Sequence, residues 1–217
     1  VRPDPRPQTN LAAEPHGAAR TTSSGGAQQE ESLSAPLFHS LVDRLGDGGR
    51  FVLLDLASAR PATVRLLSQF RCRYEVAELA DAIDPLNAEQ DPRRLRSIAE
   101  AALPARRQEP TDIVLCWDLL NYLNRPALTA VMECIAARGR PGTLVHALVY
   151  YAARQMPERP SSFLPLDENR LEIVPQNVPL RAAPRYSPED LATCMPRYAV
   201  DRARLLRNGM QEFLFRI

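Results

Sequence analysis

The chain has 217 residues, of which 45% are hydrophobic and 24% charged, the proportions of a soluble globular protein with room for one full-size domain. Its 27 basic residues are all arginine, which excludes lysine chemistry: no Schiff base, no amine nucleophile, no P-loop lysine. Against 26 acids they leave a net charge of +1, so no nucleic-acid footprint is expected.

Residues 1–33 are rich in Pro, Ala, Gly, Ser and Gln, with Leu11 almost alone as a large apolar side chain. Such a composition cannot offset the entropy of ordering, and the segment reads as a disordered tail. Its functional alternative is a docking arm for a protein partner. The folded domain is expected over residues 34–217.

Ser34-Ala35-Pro36 caps a helix whose inward face carries Leu37, Phe38, Leu41, Val42 and Leu45, and Gly46 ends it. Phe51 to Leu56 is a continuous apolar run, the mark of a buried strand. Pro61 opens a second helix with Val64, Leu67 and Phe70 inward and Leu66 at its flank; Cys72 to Val76 is a second strand. Residues 91–107 read as a helix on which Arg93, Arg94, Arg96, Arg106 and Arg107 form a solvated basic face. Thr111 to Trp117 is a third buried strand. Pro126 starts a helix with Leu128, Val131, Met132 and Ile135 inward; Gly139 and Gly142 end it and turn the chain into a strand from Thr143 to Tyr151.

Residues 152–186, punctuated by prolines at 157, 160, 165, 175, 179 and 184, read as an irregular lid or partner-binding insertion. Ser187-Pro188-Glu189-Asp190 is a helix start, and Asn208-Gly209 between apolar runs signals a closing hairpin. Strands alternating with helices predict an α/β fold, Rossmann-like, with a doubly wound, mostly parallel sheet and a C-terminal antiparallel hairpin. Ligands then sit at the carboxyl ends of strands where the strand order reverses.

Cys72, Cys116, Cys134 and Cys194 form no Cys-x-x-Cys pair and are expected to be reduced and structural. His16 and His39 stand without a Cys or Asp at triad or metal-binding spacing, so no metal is expected. No run approaches the length of a membrane span, and the opening Val1-Arg2-Pro3-Asp4 has no signal-peptide core; a cytoplasmic protein is expected.

The layout from residue 36 to 217 resembles the class I S-adenosylmethionine (SAM)-dependent methyltransferases. In that family the first strand ends in an acid and a glycine-rich turn, D/E-x-G-x-G-x-G. The matching stretch here is Asp55-Leu56-Ala57-Ser58-Ala59-Arg60-Pro61, with the acid kept and the glycine positions held by Ala57, Ala59 and Pro61. The family's ribose-binding acid after the second strand corresponds to Glu78, 23 residues beyond Asp55, or to the neighbouring Glu75. Asp112 to Leu123 looks like the family's fourth strand and the turn after it, and Arg207 to Phe215 like its closing hairpin.

The resemblance implies SAM as cofactor, held by Asp55, Ala57, Ala59, Glu78 and Asp118, and methyl transfer to a small-molecule or protein acceptor. Asp118 and His146 are the catalytic candidates, His146 as a general base. Asn121, Tyr122, Tyr150 and Tyr151 are candidates for contact with the acceptor or a partner, and Trp117 for stacking on an adenine. Alanine at positions where the family uses glycine predicts backbone strain or a reshaped turn. The alternative is an inactive methyltransferase-like scaffold that no longer binds SAM and engages a protein partner through its tail and residues 152–186.

Overall fold

The computed structural model describes residues 31–174 and 176–217. In chain order these form β1 (Glu31–Ser34), α1 (Pro36–Gly46), β2 (Phe51–Asp55), α2 (Pro61–Leu67), β3 (Cys72–Val76), α3 (Ile83–Ala88), α4 (Pro92–Ala101), β4 (Thr111–Trp117), α5 (Arg125–Ala136) and β5 (Gly139–Tyr150). There follow β6 (Gln155–Pro157), β7 (Ser162–Pro165), β8 (Arg170–Val174), β9 (Leu180–Ala182), α6 (Pro188–Cys194), β10 (Ala199–Leu205) and β11 (Met210–Arg216). Short 3-10 turns span Leu79–Ala82 and Leu119–Tyr122.

Six strands make one sheet in the order β10-β11-β5-β4-β2-β3. The pairs β3–β2, β2–β4 and β4–β5 are parallel; β5–β11 and β11–β10 are antiparallel. The fold is therefore α/β and Rossmann-like, mostly parallel and closed by an antiparallel hairpin. Continuous apolar runs in β2 and β4 follow from burial on both faces. On one face α3 to α6 pack through Ile83, Leu86, Leu95, Leu128, Val131 and Leu191. On the other, α1 and α2 pack through Leu37, Phe38, Leu41, Leu66 and Leu67. The hairpin turns at Asn208-Gly209, where Gly209 takes φ +81° at a place an L side chain would strain. No helix among the described residues is long and apolar enough to cross a membrane.

Several elements differ from the sequence expectation. Residues 31–33, placed in the tail, belong to a strand that pairs with β8; the rest of the tail lies outside the described residues. In α2 the inward face is Thr63, Leu66 and Leu67, at i, i+3 and i+4, which leaves Val64 exposed; the helix ends after seven residues and Phe70 lies beyond it. The helix expected over 91–107 stops at Ala101, and Arg106 and Arg107 lie in the following loop on Glu100 and Glu75. β5 begins at Gly139, not Thr143. All four cysteines are free; Cys72 is half-buried and the other three are buried.

Residues 152–186 differ most. They hold four short strands. β7 and β8 form an antiparallel hairpin extended by β1, and β6 pairs with β9.

Candidate functional site

The parallel sheet reverses its order between β2 and β4: β3 lies to one side of β2, β4 and β5 to the other. A cleft opens outside the carboxyl ends of such strands. Here it is a cavity of about 580 Å³, within the range of small-molecule sites. Its floor is Asp55 at the end of β2 with Leu56 after it, and Cys116 and Trp117 at the end of β4 with Asp118 after them. Its far wall is Glu158 to Phe163, with Val174, Gln176 and Arg181, all from the 152–186 segment.

That wall is latched to the floor at defined points. The Ser161 N–H donates to Asp118 Oδ2 at 2.9 Å. The Tyr122 hydroxyl donates to the Arg159 carbonyl at 2.8 Å, and an Arg60 guanidinium N–H to Ser162 Oγ at 2.6 Å. Within the wall itself, Gln176 Nε2 donates to the Pro160 carbonyl at 2.6 Å. The Phe163 ring stacks on Trp117, centroids 5.8 Å apart and planes within 6°. Arg181 sits 4.9 Å over the Tyr122 ring and donates to the Asn121 carbonyl.

Asp55 is buried and saturated by protein donors. Its Oδ1 accepts from the Ala57 N–H at 2.9 Å and Trp117 Nε1 at 2.7 Å; its Oδ2 accepts from the Tyr74 hydroxyl at 2.8 Å. Burial raises its pKa against the lowering effect of these three bonds. Asp55 is both turn residue and clamp. The clamp holds Trp117 at φ +50°, a conformation that costs a bulky residue on the order of 1–3 kcal/mol.

Asp118 is the opposite case. It is fully buried, Oδ2 is held by Ser161, and Oδ1 has no hydrogen-bond partner. Burial is the main reason its pKa is pushed up to about 7, with the Ser161 bond pulling the other way. A carboxyl poised near neutrality in a cleft is where proton or cation chemistry is expected.

The turn after β2 carries no strain at alanine. Positive φ at non-glycine residues is confined, among the described residues, to Glu78, Trp117 and Arg185. Ala57 and Ser58 line the cleft; Ala59 does not. Glycine at 57 and 59 has no left-handed conformation to restore, so Ala57→Gly and Ala59→Gly are each expected to lower stability by about 0.4–1 kcal/mol, read by denaturant unfolding. Unchanged or raised stability in either variant would contradict this.

The remaining sequence candidates are spread more widely. Tyr122 lines the cleft. Asn121 is buried beneath it: its amide donates to the Asp118 and Leu148 carbonyls and accepts from the Tyr150 N–H, a brace between the 3-10 turn and β5. Tyr150 and Tyr151 lie outside the cleft lining, Tyr151 exposed. Glu78 is exposed and outside the lining, while Glu75 lines a separate cavity and pairs with Arg73 and Arg107. The acids following β3 that do reach the cleft are Asp81 and Asp84.

His146 lies elsewhere. It is fully buried on β5, its Nε2 2.9 Å from Glu212 Oε1, its ring edge-on to Phe38 and Trp117. Sequence reasoning missed Arg60, Asp81, Asp84 and Arg181; only the singling out of 152–186 pointed toward any of them.

No protein-family model matches the chain, and no curated protein matches it in sequence. Solved structures similar to it include an S-adenosylmethionine-dependent methyltransferase from Clostridium acetobutylicum, 9% identical over 83% of this chain and 90% of that one, TM-score 0.49. The CcbJ methyltransferase from Streptomyces caelestis is 12% identical over 82% of this chain and 93% of that one, TM-score 0.49. A Burkholderia thailandensis 1,6-didemethyltoxoflavin-N1-methyltransferase, solved with S-adenosylhomocysteine, is 13% identical over 83% and 76%, TM-score 0.47.

Proposed function

We propose that the chain binds SAM in the cleft between the ends of β2 and β4 and methylates a small-molecule acceptor enclosed by the 158–181 wall. One observation carries this reading: at the strand-order reversal, the cleft is floored by a buried carboxyl whose Oδ1 has no protein partner.

The residues present fit the ligand. Ala57 and Ser58 keep the turn small without strain, so the cleft stays open where larger side chains would fill it. This favours a binding site over a filled, scaffold-only turn. Trp117 and Phe163 supply apolar area, and Asp81 and Asp84 stand where hydroxyl groups of a ribose can be accepted. Bound SAM supplies an electrophilic methyl group on a sulfonium centre. The protein's share is positioning and exclusion of water. The latches from Ser161, Tyr122 and Arg60 hold the wall beside the cleft, and Asp118 Oδ1 takes the proton released by the acceptor's nitrogen or oxygen.

Calorimetric titration with SAM and S-adenosylhomocysteine tests the reading. Saturable one-to-one binding in the micromolar range is expected; no heat at millimolar ligand, from folded protein, overturns it. Within the same titration, Asp84→Ala or Asp81→Ala is expected to weaken binding about tenfold, the worth of roughly one hydrogen bond. Glu78→Ala should leave it unchanged. The reverse pattern would move the ribose contact back to Glu78.

A further inference from the structure

We propose that His39, Asp43 and Glu168 form a binding site for a first-row divalent cation of the zinc type, which pins the β7–β8 hairpin to α1. The proposal stands apart from the methyl-transfer reading.

The three side chains come from two elements that are distant in sequence. His39 and Asp43 are four residues apart on α1, hence neighbours on one helix face, with Nε2 3.5 Å from Oδ2. The sequence reading left His39 without an acidic partner; the fold gives it two. Glu168 arrives from the turn between β7 and β8, and one ligand atom from each of the three residues lies within 4.8 Å of the others. Donors on a tetrahedral zinc, at about 2.0–2.2 Å from the metal, stand roughly 3.4 Å apart. Exposed carboxylates can close that difference by rotating, without moving backbone.

The turn is already held in place. Asp167 Oδ1 accepts from the Asn169 and Arg170 N–H groups at 2.9 and 2.8 Å. The Asn169 carbonyl accepts from the Ala35 N–H at 2.9 Å, directly before α1. Glu168 is thus presented toward α1 by backbone bonds, not by a loose loop.

Electrostatics ask for a cation there. The carboxylates of Asp43 and Glu168 converge on one imidazole, and their like charges repel unless a positive charge intervenes. Two arginines line the adjoining cavity, but neither pairs with these acids: Arg170 is bound to Asp167 at 2.7 Å, and Arg65 is not within ion-pair distance of either. One imidazole and two carboxylates suit zinc and its first-row neighbours better than magnesium, which selects all-oxygen sites. Water would fill the remaining positions.

The consequence reaches the cleft. The pinned hairpin carries Phe163, whose ring stacks on Trp117 in the cleft floor. A cation at the hairpin tip therefore steadies the cleft wall from outside.

The test is calorimetric titration of the full chain with zinc chloride, paired with hydrogen exchange over residues 162–174. His39→Gln and Glu168→Gln change partly or fully exposed side chains and are expected to fold. The unaltered protein should bind one zinc with micromolar affinity, and either variant should bind at least about tenfold more weakly, a loss of about 1.4 kcal/mol. His16→Gln, the control for chelation by residues outside the described structure, should bind as the unaltered protein does. Zinc should slow exchange over 162–174 several-fold, and magnesium should not. Undiminished zinc affinity in His39→Gln or Glu168→Gln, or unchanged exchange in 162–174, overturns the proposal. So does an absence of binding to the unaltered chain at about 100 µM zinc.

Discussion

On the proposed reading, replacing Asp118 with asparagine is expected to cost at least about 100-fold in methyl transfer while raising the melting temperature at pH 8. The two effects share one cause. Asp118 is buried with Oδ1 unpartnered, and burial lifts its pKa from the ordinary 3.8 to about 7. The native state therefore keeps a proton that the unfolded chain gives up near pH 4. Stability from this group is fully present below about pH 4 and falls as pH rises, until Asp118 itself ionises near pH 7. A shift of this size corresponds to at most about 4 kcal/mol lost across that window. Asparagine carries no charge to bury and can keep an oxygen facing the Ser161 N–H. Its amide nitrogen takes the unpartnered place, which returns about 1–3 kcal/mol of cost. The difference in melting temperature, variant minus unaltered protein, should thus be positive at pH 8 and near zero or negative at pH 5. Calorimetry at both pH values decides it. Equal differences at the two pH values would mean Asp118 does not ionise in that window, and would remove it as proton acceptor. Turnover of the unaltered protein should correspondingly rise with pH through about 7.

The core of this fold was legible in the sequence because its signals are local. β2 and β4 carry short apolar runs, β3 alternates apolar and polar residues, and Asn208-Gly209 marks the closing hairpin; α1 and α5 show helical spacing with proline at the first turn. The location of the cleft follows from the alternation alone. What failed is non-local. The strands of 152–186 are three to five residues long and are defined by partners such as β1, which no periodicity within the segment reveals. Prolines at 157 and 165 sit at strand ends, where the missing N–H is tolerated, so they punctuate strands instead of excluding them.

The cleft shows the same division. Asp55 and Asp118 are at strand ends and could be named from sequence. Asp81, Asp84 and Arg181 depend on how the segments after β3 and β5 return over the cleft. The alanines at 57 and 59 suggested strain because a glycine position in a family motif invites the assumption of positive φ. The unusual backbone is at Trp117 instead, held there by Asp55.

His146 lies outside the cleft lining and bonds Glu212, and it leads to the second large effect. Helix α1 is preceded at its N-cap by Ala35, which offers no capping side chain. Glu212, from β11 across the sheet, takes that role: Oε2 accepts from the Leu37 N–H at 3.0 Å and Oε1 from the Phe38 N–H at 2.8 Å. Acidic oxygens at a helix N-terminus satisfy orphan donors and suit the helix dipole. His146 Nε2 reaches the same Oε1 at 2.9 Å, and both side chains are fully buried. Glu212→Ala strands two backbone donors and the imidazole together, and is expected to cost about 3–5 kcal/mol. For a domain of this size that is roughly a 10 °C fall in melting temperature. Glu212→Gln keeps one acceptor and should cost less. His146→Ala should lower stability while leaving the rate of methyl transfer per folded molecule little changed, the opposite of what a general base requires. In the Glu212→Ala background the His146→Ala step should cost at least about 1 kcal/mol less than in the unaltered protein, because the bond it removes is already gone. Additive losses in that cycle would mean that the two residues contribute separately. Loss of turnover in His146→Ala with stability intact would restore the histidine to catalysis.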